Sequence, residues 1–359
     1  MENILTDHKK KGLIHLIMDD DFQKKFLQLY TQEFPEKKQV RISSSSSAGA
    51  GWESDLFALH LEYEEAARRQ SEDVVLKAYH GQNGLQKVQN EALALKQLAS
   101  AGYPVPRPLF VTLQASSLGQ AYVVMEKIEG TTLSKIFGGS SQEKQRELIT
   151  LFCQLYVDLH TLDWQPLVPD PALYQTQGFV ASWLARMRPS VEHVLPGVFD
   201  GVLDWLQAKA ENIASQGLSI THGDFHPENI LLRDDGAAFV IDWTNKDISD
   251  YRLDLAWTLL LIGTEWAGEL RDSVLKEYER LAGQPAEDIE FFEVVACTRR
   301  LVDITASLLN GATTMGMKPG AETAMRQKVK QIRAIYAQLQ ERTGCTVPEI
   351  EQLIVSLSS

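Results

Sequence analysis

Apolar residues follow two different spacings along this chain. Between residues 39 and 80, the partly alternating segment "LFALHLEY" predicts a β-strand, and "QVRI" and "VVLKAYH" predict further strands. The small residues of "SSSSSAGAG" (43–51) separate "QVRI" from "LFALHLEY" and predict a flexible loop at the tip of a β-hairpin. The segment "AYVVMEKI" (121–128) predicts a further strand.

Helical spacing dominates elsewhere. The segment "LQKVQNEALALKQLASAG" predicts a helix that stops at Gly102. The N-terminal "LIHLIMDDDFQKKFLQLY" predicts one amphipathic helix. Further helices are predicted around 148–159, at 251–263, 270–282 and 288–310, and after residue 345. The chain is therefore β-rich up to about residue 127 and mostly helical beyond it.

Charge changes at the same point. Residues 1–127 hold 15 Lys and Arg against 16 Asp and Glu, whereas residues 128–359 hold 20 against 32. For 359 residues we expect two lobes and an extension, with boundaries at 1–40 (helical extension), 41–127 (sheet-containing lobe) and 128–359 (helical lobe). The net charge of −13 argues against nucleic acid as a partner. The acidity of the second lobe indicates either solvated helix faces or a groove that attracts a cationic substrate.

The cysteines and the apolar runs bear on the compartment. Cys153, Cys297 and Cys345 are scattered, so neither a disulfide framework nor a Cys-x-x-Cys zinc site is predicted. No apolar run reaches the length of a membrane span, and "GLIHLIM" stops at three aspartates. We expect a cytoplasmic protein without a membrane partner and of undefined oligomeric state.

A short hairpin is predicted by "NILLRDDGAAFVIDW". With Asp235 and Gly236 as a two-residue turn, Asn229 lies directly opposite Asp242, and the two side chains point to the same side. Amide and carboxylate oxygens are the ligands that Mg²⁺ prefers, with other positions left for water and phosphate. The two residues are therefore candidate metal ligands.

The preceding segment, "THGDFHPEN", supplies a group for the chemistry. Asp224 lies five residues before Asn229, on the loop that leads into the hairpin. A carboxylate there can accept a proton from a substrate hydroxyl or orient it. Two metal ligands and one group that aligns the nucleophile have the chemistry of a phosphoryl-transfer centre.

These motifs resemble the aminoglycoside phosphotransferase family, which is related to choline kinases and more distantly to protein kinases. The resemblance runs from about residue 40 to 345 and rests on these segments in this order: "VVLKAYH", "NEALALKQLASAGYPVPRPL", "YVVMEKIEGTTL", "LHTLD", "HGDFHPENIL", "VIDW" and "DYRLDLAW". It implies an α+β, bilobal protein-kinase-like fold. The N-lobe would hold an antiparallel sheet with one helix, and the mainly α-helical C-lobe a catalytic loop and a β-hairpin.

The resemblance also implies roles in the C-lobe. Asp224 would be the catalytic aspartate, and His222 would brace its loop. Asn229 and Asp242 would hold Mg²⁺, and Asp254 would be a buried carboxylate that supports the catalytic loop.

In the N-lobe the resemblance implies a nucleotide site. Lys77 would contact the α- and β-phosphates of ATP or GTP and pair with Glu91, and the main chain at Glu126 and Ile128 would bind the adenine edge. The family's nucleotide-covering loop is usually glycine-rich, whereas this chain has "SSSSSAGAG".

The implied activity is Mg²⁺-dependent transfer of the γ-phosphoryl group to a hydroxyl of a small molecule. The acidic C-lobe favours an aminoglycoside-like or other cationic acceptor. The alternatives are a kinase for a metabolite such as choline, homoserine or a macrolide antibiotic, a degenerate member that binds nucleotide without catalysis, and a protein kinase. The last is disfavoured because no activation segment separates Asp242 from "DLAW".

Structural interpretations compete with the functional ones at several residues. A zinc site at His222, Asp224 and His226 is disfavoured because no third histidine follows at a plausible spacing. His226 by itself is expected to be a packed loop residue, and Trp243 to fix the turn beside Asp242. The tryptophans expected in the core are Trp183, Trp205, Trp257 and Trp266.

Overall fold

The chain folds into two units joined after Glu129. A computed structural model describes residues 20–50, 54–79, 83–113, 121–174, 176–265, 268–311 and 321–358. One unit ends at Glu129, and the other begins at Gly130. Trp266 and residues 13–19 of the predicted N-terminal helix lie outside the described ranges.

The first unit is built on an antiparallel sheet with strand order β1-β2-β3-β5-β4. Its elements are α1 (Asp20–Glu33), β1 (Lys38–Ala50), β2 (Ser54–Glu65), β3 (Arg68–Tyr79), α2 (Gly84–Ser100), β4 (Pro108–Thr112) and β5 (Tyr122–Glu126). Successive side chains of a strand point to opposite faces. Leu76 therefore joins the buried cluster that packs against α1, while Lys77 points to the other face.

Aromatic side chains attach α1 to the sheet. Phe22, Phe26 and Tyr30, at helical spacing, form the buried stripe of α1. The ring of Phe26 lies 6.1 Å from that of Phe110, and the ring of Phe22 lies 5.9 Å from that of Tyr122. The part of the predicted N-terminal helix from Asp20 onward is thus present, and it covers one face of the sheet.

A buried lysine follows α1. Lys37 Nζ lies 4.6 Å from the ring centre of Phe34 and 4.4 Å from that of Tyr63. It donates a hydrogen bond to Tyr30 Oη at 2.7 Å and forms an ion pair with Glu72. Burial lowers the pKa of Lys37. The ammonium is stabilised by rings and a carboxylate together, which ties the end of α1 to β3.

The predicted β-hairpin is present as β1 and β2, but the prediction of a loop at 43–51 is wrong for residues 43–50. Strand β1 continues through the serines to Ala50, with Ser45 opposite Leu59 and Ser47 opposite Phe57. The serines are exposed on an edge strand, where the backbone ladder with β2 holds the conformation and no apolar side chain is needed. Register shifts between Ile42 and Ser44 and after Ser47 accommodate the irregular sequence.

The second unit is mainly helical. Its strands are β6 (Thr131–Thr132), β7 (Ser219–Thr221), β8 (Ile230–Leu232), β9 (Ala238–Val240) and β10 (Asp247–Ser249). Its helices are α3 (Leu133–Gly138), α4 (Gln142–Thr161), α5 (Phe179–Val194), α6 (Asp200–Ala210), α7 (Tyr251–Glu265), α8 (Gly268–Ala282), α9 (Ile289–Asn310), α10 (Ala321–Arg326), α11 (Val329–Thr343) and α12 (Pro348–Ser356). The helices predicted from residue 251 onward are confirmed as α7, α8 and α9, and the closing helix as α12.

The core of the second unit surrounds α7 and α9. Both helices are buried over most of their length, and α7 is apolar on nearly every face. Among the helices of the described ranges, none has the length and apolar character needed to cross a bilayer. The predicted α+β class is confirmed by the sheet of the first unit and the helices of the second.

We expect Phe26→Ala to destabilise the first unit, because Phe26 is fully buried between α1 and the sheet. Loss of such a ring costs about 3–5 kcal/mol of unfolding free energy. Hydrogen exchange of the β2 and β3 amides would measure it. The control is Leu93→Ala, a residue of α2 that is 55% exposed and should cost no more than about 0.5 kcal/mol. Unchanged exchange in Phe26→Ala would show that α1 does not stabilise the sheet.

Candidate active site

The candidate catalytic loop connects β7 to the β8–β9 hairpin. β7 pairs with β10 through Thr221 and Asp247, which fixes the start of the loop. A short 3₁₀ turn, Pro227–Asn229, ends it and leads directly into β8. The predicted catalytic residue Asp224 and the predicted bracing residue His222 lie between these two anchors.

The Asp254 carboxylate binds the backbone of this loop. Its Oδ2 accepts the N–H of His222 at 2.7 Å, and its Oδ1 accepts the N–H of Gly223 at 2.8 Å. His160 Nε2 lies 3.4 Å from the same Oδ2. Burial acts to raise the pKa of Asp254, but the interactions with His160 and His222 outweigh it, and the pKa is lowered. Asp254 is therefore a buried anion that holds two successive amides of the loop.

Gly223 is required by the shape of the loop. Its φ of +79° lies in the left-handed region, which favours glycine. A Cβ atom there would lie 2.7 Å from Asn245 Cβ and 2.9 Å from the Asn245 carbonyl oxygen. The loop therefore passes too close to Asn245 to accommodate a side chain at position 223.

His222 links the loop to the end of β9. It is fully buried, its Nε2 donates to the Ile241 carbonyl at 3.0 Å, and its Nδ1 accepts the N–H of Asp224 at 3.2 Å. Burial lowers the pKa of His222. A neutral ring with one donor and one acceptor satisfies both bonds. Because His222 is inaccessible, its place corresponds to the bracing role that the resemblance implied rather than to contact with a substrate.

Both carboxylate oxygens of Asp224 have a neighbour. Trp257 Nε1 donates to Asp224 Oδ1 at 2.8 Å, and His226 Nε2 lies 3.4 Å from Asp224 Oδ2. Burial acts to raise the pKa of Asp224, but His226 and Trp257 hold it well below the usual range. The carboxylate is thus ionised, fixed in orientation and one-third exposed.

The hairpin register differs by one residue from the predicted one. Ile230 pairs with Val240, and Leu232 with Ala238. The Asn229 carbonyl accepts the N–H of Ile241 at 2.9 Å, so the prediction that Asn229 lies directly opposite Asp242 is wrong.

The turn explains the shift. Arg233 bonds to Ala237, so the connection has three residues instead of two, and its last residue, Gly236, has a φ of +88°. A three-residue connection with a left-handed glycine is the second common way to close such a hairpin. An Asp-Asp-Gly sequence is compatible with a two-residue or a three-residue connection. The residue pattern of the flanking strands does not distinguish between the two lengths.

Asn229 and Asp242 nonetheless both lie at the open end of the hairpin. Asp242 directly follows Ile241, the cross-strand partner of Asn229, and its φ of +70° breaks the strand alternation. Asn229 Nδ2 donates to the Asp224 carbonyl at 3.0 Å, which leaves the Asn229 amide oxygen as the group for a cation. Thr244 Oγ1 donates to Asp242 Oδ1 at 3.2 Å. An amide oxygen and a carboxylate are a donor set that fits Mg²⁺.

The predicted lysine and glutamate of the first unit are in contact. Lys77 Nζ donates to Glu91 Oε1 at 2.9 Å, and both side chains are almost fully buried. Tyr79 Oη donates to Glu91 Oε2 at 2.7 Å. The pair joins β3 to α2, on the sheet face opposite to α1.

Glu126 and Ile128 lie at the end of β5. The Glu126 N–H donates to the Arg107 carbonyl at 3.0 Å, and the Glu126 side chain accepts the Arg107 N–H at 2.8 Å. The Glu126 amide is therefore part of the sheet. Ile128 follows β5 outside any strand or helix.

Two residues contribute more than the sequence indicated. Trp257, expected in the core, is buried but also donates to Asp224, and His226 lies against both Asp224 and Asn229. No pattern signals the tryptophan contact, because it joins positions 33 residues apart. The spacing "DFHPEN" could have drawn attention to His226, which occupies the middle of the motif. Within the described ranges, no group of three or more His, Cys, Asp or Glu is arranged to hold a metal.

The comparisons with known proteins identify the family. The model of the "Phosphotransferase enzyme family" matches residues 47–289, and the chain belongs to this family. The rat protein "Acyl-CoA dehydrogenase family member 11" is 26% identical over 176 residues, 47% of this chain and 22% of that protein. The mouse family member 10 is 25% identical over 181 residues, 48% and 16% of the two chains. The chain thus matches only about a fifth of the length of these relatives.

Solved structures show the same fold. A Ralstonia eutropha JMP134 protein named for the aminoglycoside phosphotransferases is 16% identical with a TM-score of 0.63, over 88% of this chain and 97% of that one. The GDP and kanamycin complex of APH(2″)-IIIa is 16% identical with a TM-score of 0.57, over 87% and 97%. A complex of APH(4)-Ia with ADP and hygromycin B is 16% identical with a TM-score of 0.52, over 92% and 97%. The predicted protein-kinase-like fold is confirmed.

We expect Asp254→Asn to loosen the catalytic loop. An amide can accept only one of the two backbone N–H groups, and its own NH₂ would face the other. The cost should be about 3 kcal/mol, because a buried charged hydrogen-bond acceptor is lost. Hydrogen exchange at His222 and Gly223 would measure it, with Asp158→Asn, an exposed residue of α4, as the matched control. Equal protection in both variants would contradict this role of Asp254.

The same bonds should depend on pH. Because the pKa of Asp254 is lowered in the folded protein, its contribution is complete above the ordinary aspartate pKa and is lost as the pH falls below about 4. Protection factors at His222 and Gly223 should fall in that window in the parent protein. In Asp254→Asn they should not show this dependence.

Proposed function

We propose that this protein transfers the γ-phosphoryl group of ATP or GTP to a hydroxyl of a small molecule. The observation that carries the proposal is the Asp224 carboxylate, ionised and fixed by Trp257, together with the Asn229 side chain, whose amide nitrogen donates to the Asp224 backbone carbonyl. Membership in the phosphotransferase family supports the reaction class. Two of the structures similar to this chain were solved with ADP and with GDP, which supports a purine nucleotide as the donor.

In the proposed reaction the acceptor hydroxyl oxygen forms a bond to the γ-phosphorus, and the bond from that phosphorus to the β,γ-bridging oxygen breaks. The nucleoside diphosphate leaves with the bond electrons. Asp224 orients the hydroxyl and receives its proton, which then passes to solvent. Since the transition state of such transfers is loose, the proton moves late, and a carboxylate with a lowered pKa is sufficient.

The nucleotide phosphates are assigned to two sets of side chains. Asn229 and Asp242 would hold Mg²⁺, which supplies charge neutralisation on the phosphate oxygens when bound. Lys77, held by Glu91, would contact the α- and β-phosphates. The backbone at Ile128 and the carbonyl of Glu126 would bind the purine edge.

A cationic acceptor is a second candidate within the same reaction class. The acidic balance of residues 128–359 favours it, and two of the similar structures carry kanamycin and hygromycin B. A cytoplasmic location is also proposed, because Cys153, Cys297 and Cys345 are all free. A degenerate module that binds nucleotide without turnover is the third candidate, and the next experiment separates it from the first.

We expect Asp224→Asn to lower turnover at least about a hundredfold while nucleotide binding persists, because the substitution keeps the shape and removes the proton acceptor. Asp242→Asn should weaken binding of the magnesium nucleotide, and asparagine tolerates the positive φ at this position. Nucleoside diphosphate release and calorimetric titration of ATP and GTP would measure both. Full turnover in Asp224→Asn would refute the assignment, and binding without turnover in the parent would establish the degenerate module.

Trp257→Phe should lower kcat about tenfold or more with little change in nucleotide affinity. The ring remains buried, but the charged hydrogen bond to Asp224 is lost. Trp205→Phe is the matched control, because the Trp205 ring stacks on Phe291 away from the loop. If the two variants retained equal kcat, Trp257 would have no part in orienting Asp224.

A further inference from the structure

An arginine lies one indole ring away from the candidate catalytic carboxylate. Arg299, on α9, places its guanidinium carbon 4.0 Å from the ring centre of Trp257. The nitrogen of the same indole donates to Asp224 Oδ1 at 2.8 Å. The position of Arg299 relative to Asp224 is thus defined by a buried, rigid ring, and all three residues belong to the second unit.

Arg299 forms no ion pair within the part of the chain that the structure describes. Its ring contact with Trp257 is accompanied by no hydrogen bond or ion pair to a described residue. Other arginines of this unit behave differently: Arg252 binds Asp250 at 2.7 Å, and Arg342 binds Glu293 at 2.7 Å. Stacking uses the flat face of a guanidinium and leaves its in-plane N–H donors available for an anion.

The next residue adds positive charge. Arg300 Nε is buried and has no hydrogen-bond acceptor among the described residues. The positive charge of Arg300 acts on the carboxylate of Glu265, which already binds Lys328 at 2.7 Å and Gln331 at 2.9 Å. The carboxylate near Arg300 is therefore already occupied by a lysine and a glutamine. Buried donors are rarely left unbound in native proteins, so a ligand oxygen suits this place.

We propose that the acceptor is a hydroxy acid, with its carboxylate bound by Arg299, assisted by Arg300, and its hydroxyl directed to Asp224. The inference rests on the proposed phosphotransferase function and specifies the acceptor class. The planar guanidinium matches a carboxylate with two parallel hydrogen bonds. The second unit is acidic, but solvent screening weakens the attraction of its distant surface carboxylates for a cationic acceptor. Arg299 is half-buried and would act at close range. We therefore expect Arg299, rather than the net charge of the unit, to determine the charge of the acceptor.

The test compares acceptors that differ only in charge. Short aliphatic hydroxy acids of increasing chain length are assayed with the parent protein and magnesium ATP or GTP, beside the corresponding hydroxy amides and amino alcohols. We expect at least one hydroxy acid to have a kcat/KM that exceeds those of its amide and amine by about tenfold or more. A preference for the amino alcohols, or for an aminoglycoside over every acid, would overturn the proposal and leave the phosphotransferase function in place.

Substitutions of Arg299 separate recognition of the carboxylate from packing on Trp257. Arg299→Met keeps an aliphatic chain over the indole and should raise KM for the acid about tenfold or more, with little effect on KM for the amide. Arg299→Lys keeps the positive charge but loses the paired N–H donors of the guanidinium, and it should give an intermediate KM for the acid. Arg146→Met, an exposed residue of α4, is the matched control. Equal losses for the acid and the amide, or a loss in kcat alone, would show that Arg299 only packs or acts on the phosphoryl group.

Binding without chemistry distinguishes the two levels of the proposal. Saturation-transfer NMR of the hydroxy acid is measured on the parent protein, on Asp224→Asn and on Arg299→Met. Binding that is kept in Asp224→Asn and lost in Arg299→Met supports the carboxylate site. If such binding occurs without any release of nucleoside diphosphate, the phosphotransferase function fails and the carboxylate site stands. Equal binding to all three proteins overturns the site.

Discussion

The buried Asp254 carboxylate is the interaction on which the candidate site depends. It accepts two successive backbone amides of the catalytic loop, at His222 and Gly223. The same helix, α7, then binds the next two residues of the loop. Trp257 donates to the Asp224 carboxylate, and Thr258 Oγ1 donates to the Phe225 carbonyl at 2.6 Å.

This arrangement follows from helix geometry. Positions 254, 257 and 258 are spaced by three and four residues, so they lie on one face of α7. One rigid face therefore holds the loop from residue 222 to 225, both its backbone and the side chain of Asp224. Buried charges of this kind are weak evidence for stability, because their desolvation offsets much of the attraction. Their value here is positional: Asp254 fixes the atoms around Asp224, as the buried Lys77–Glu91 pair fixes an ammonium on the sheet of the first unit.

The sequence predicted elements better than contacts. Helical spacing located α2, α7, α8 and α9, because each buries a stripe or core that dominates its composition. Alternation failed at β1, where the ladder with β2 stabilises serines that carry no apolar signal. The hairpin register depended on whether Asp-Asp-Gly closes with two or three residues, which is determined by the backbone of Gly236 and not by the flanking strands.

The same holds for the candidate site, where the sequence predicted individual residues better than the contacts between them. Asp224, Asn229 and Asp242 could be chosen from their chemistry and spacing, and Lys77 and Glu91 from the resemblance. The bond from Trp257 to Asp224 and the stacking of Arg299 on Trp257 join three separate segments of the chain. No local pattern encodes such contacts, because they depend on how α7 and α9 pack around the loop.

The chemistry of Asp224 follows from the same packing. With Trp257 on one oxygen and His226 near the other, its carboxylate is stabilised as an anion, and its pKa is held well below the usual range. Such a group is a weak base for an alcohol whose proton is still tightly held. In the proposed reaction it therefore contributes orientation first, and it accepts the proton only as the hydroxyl oxygen gains bonding to phosphorus. The fixed position of the carboxylate, more than its basicity, is then what the surrounding side chains provide.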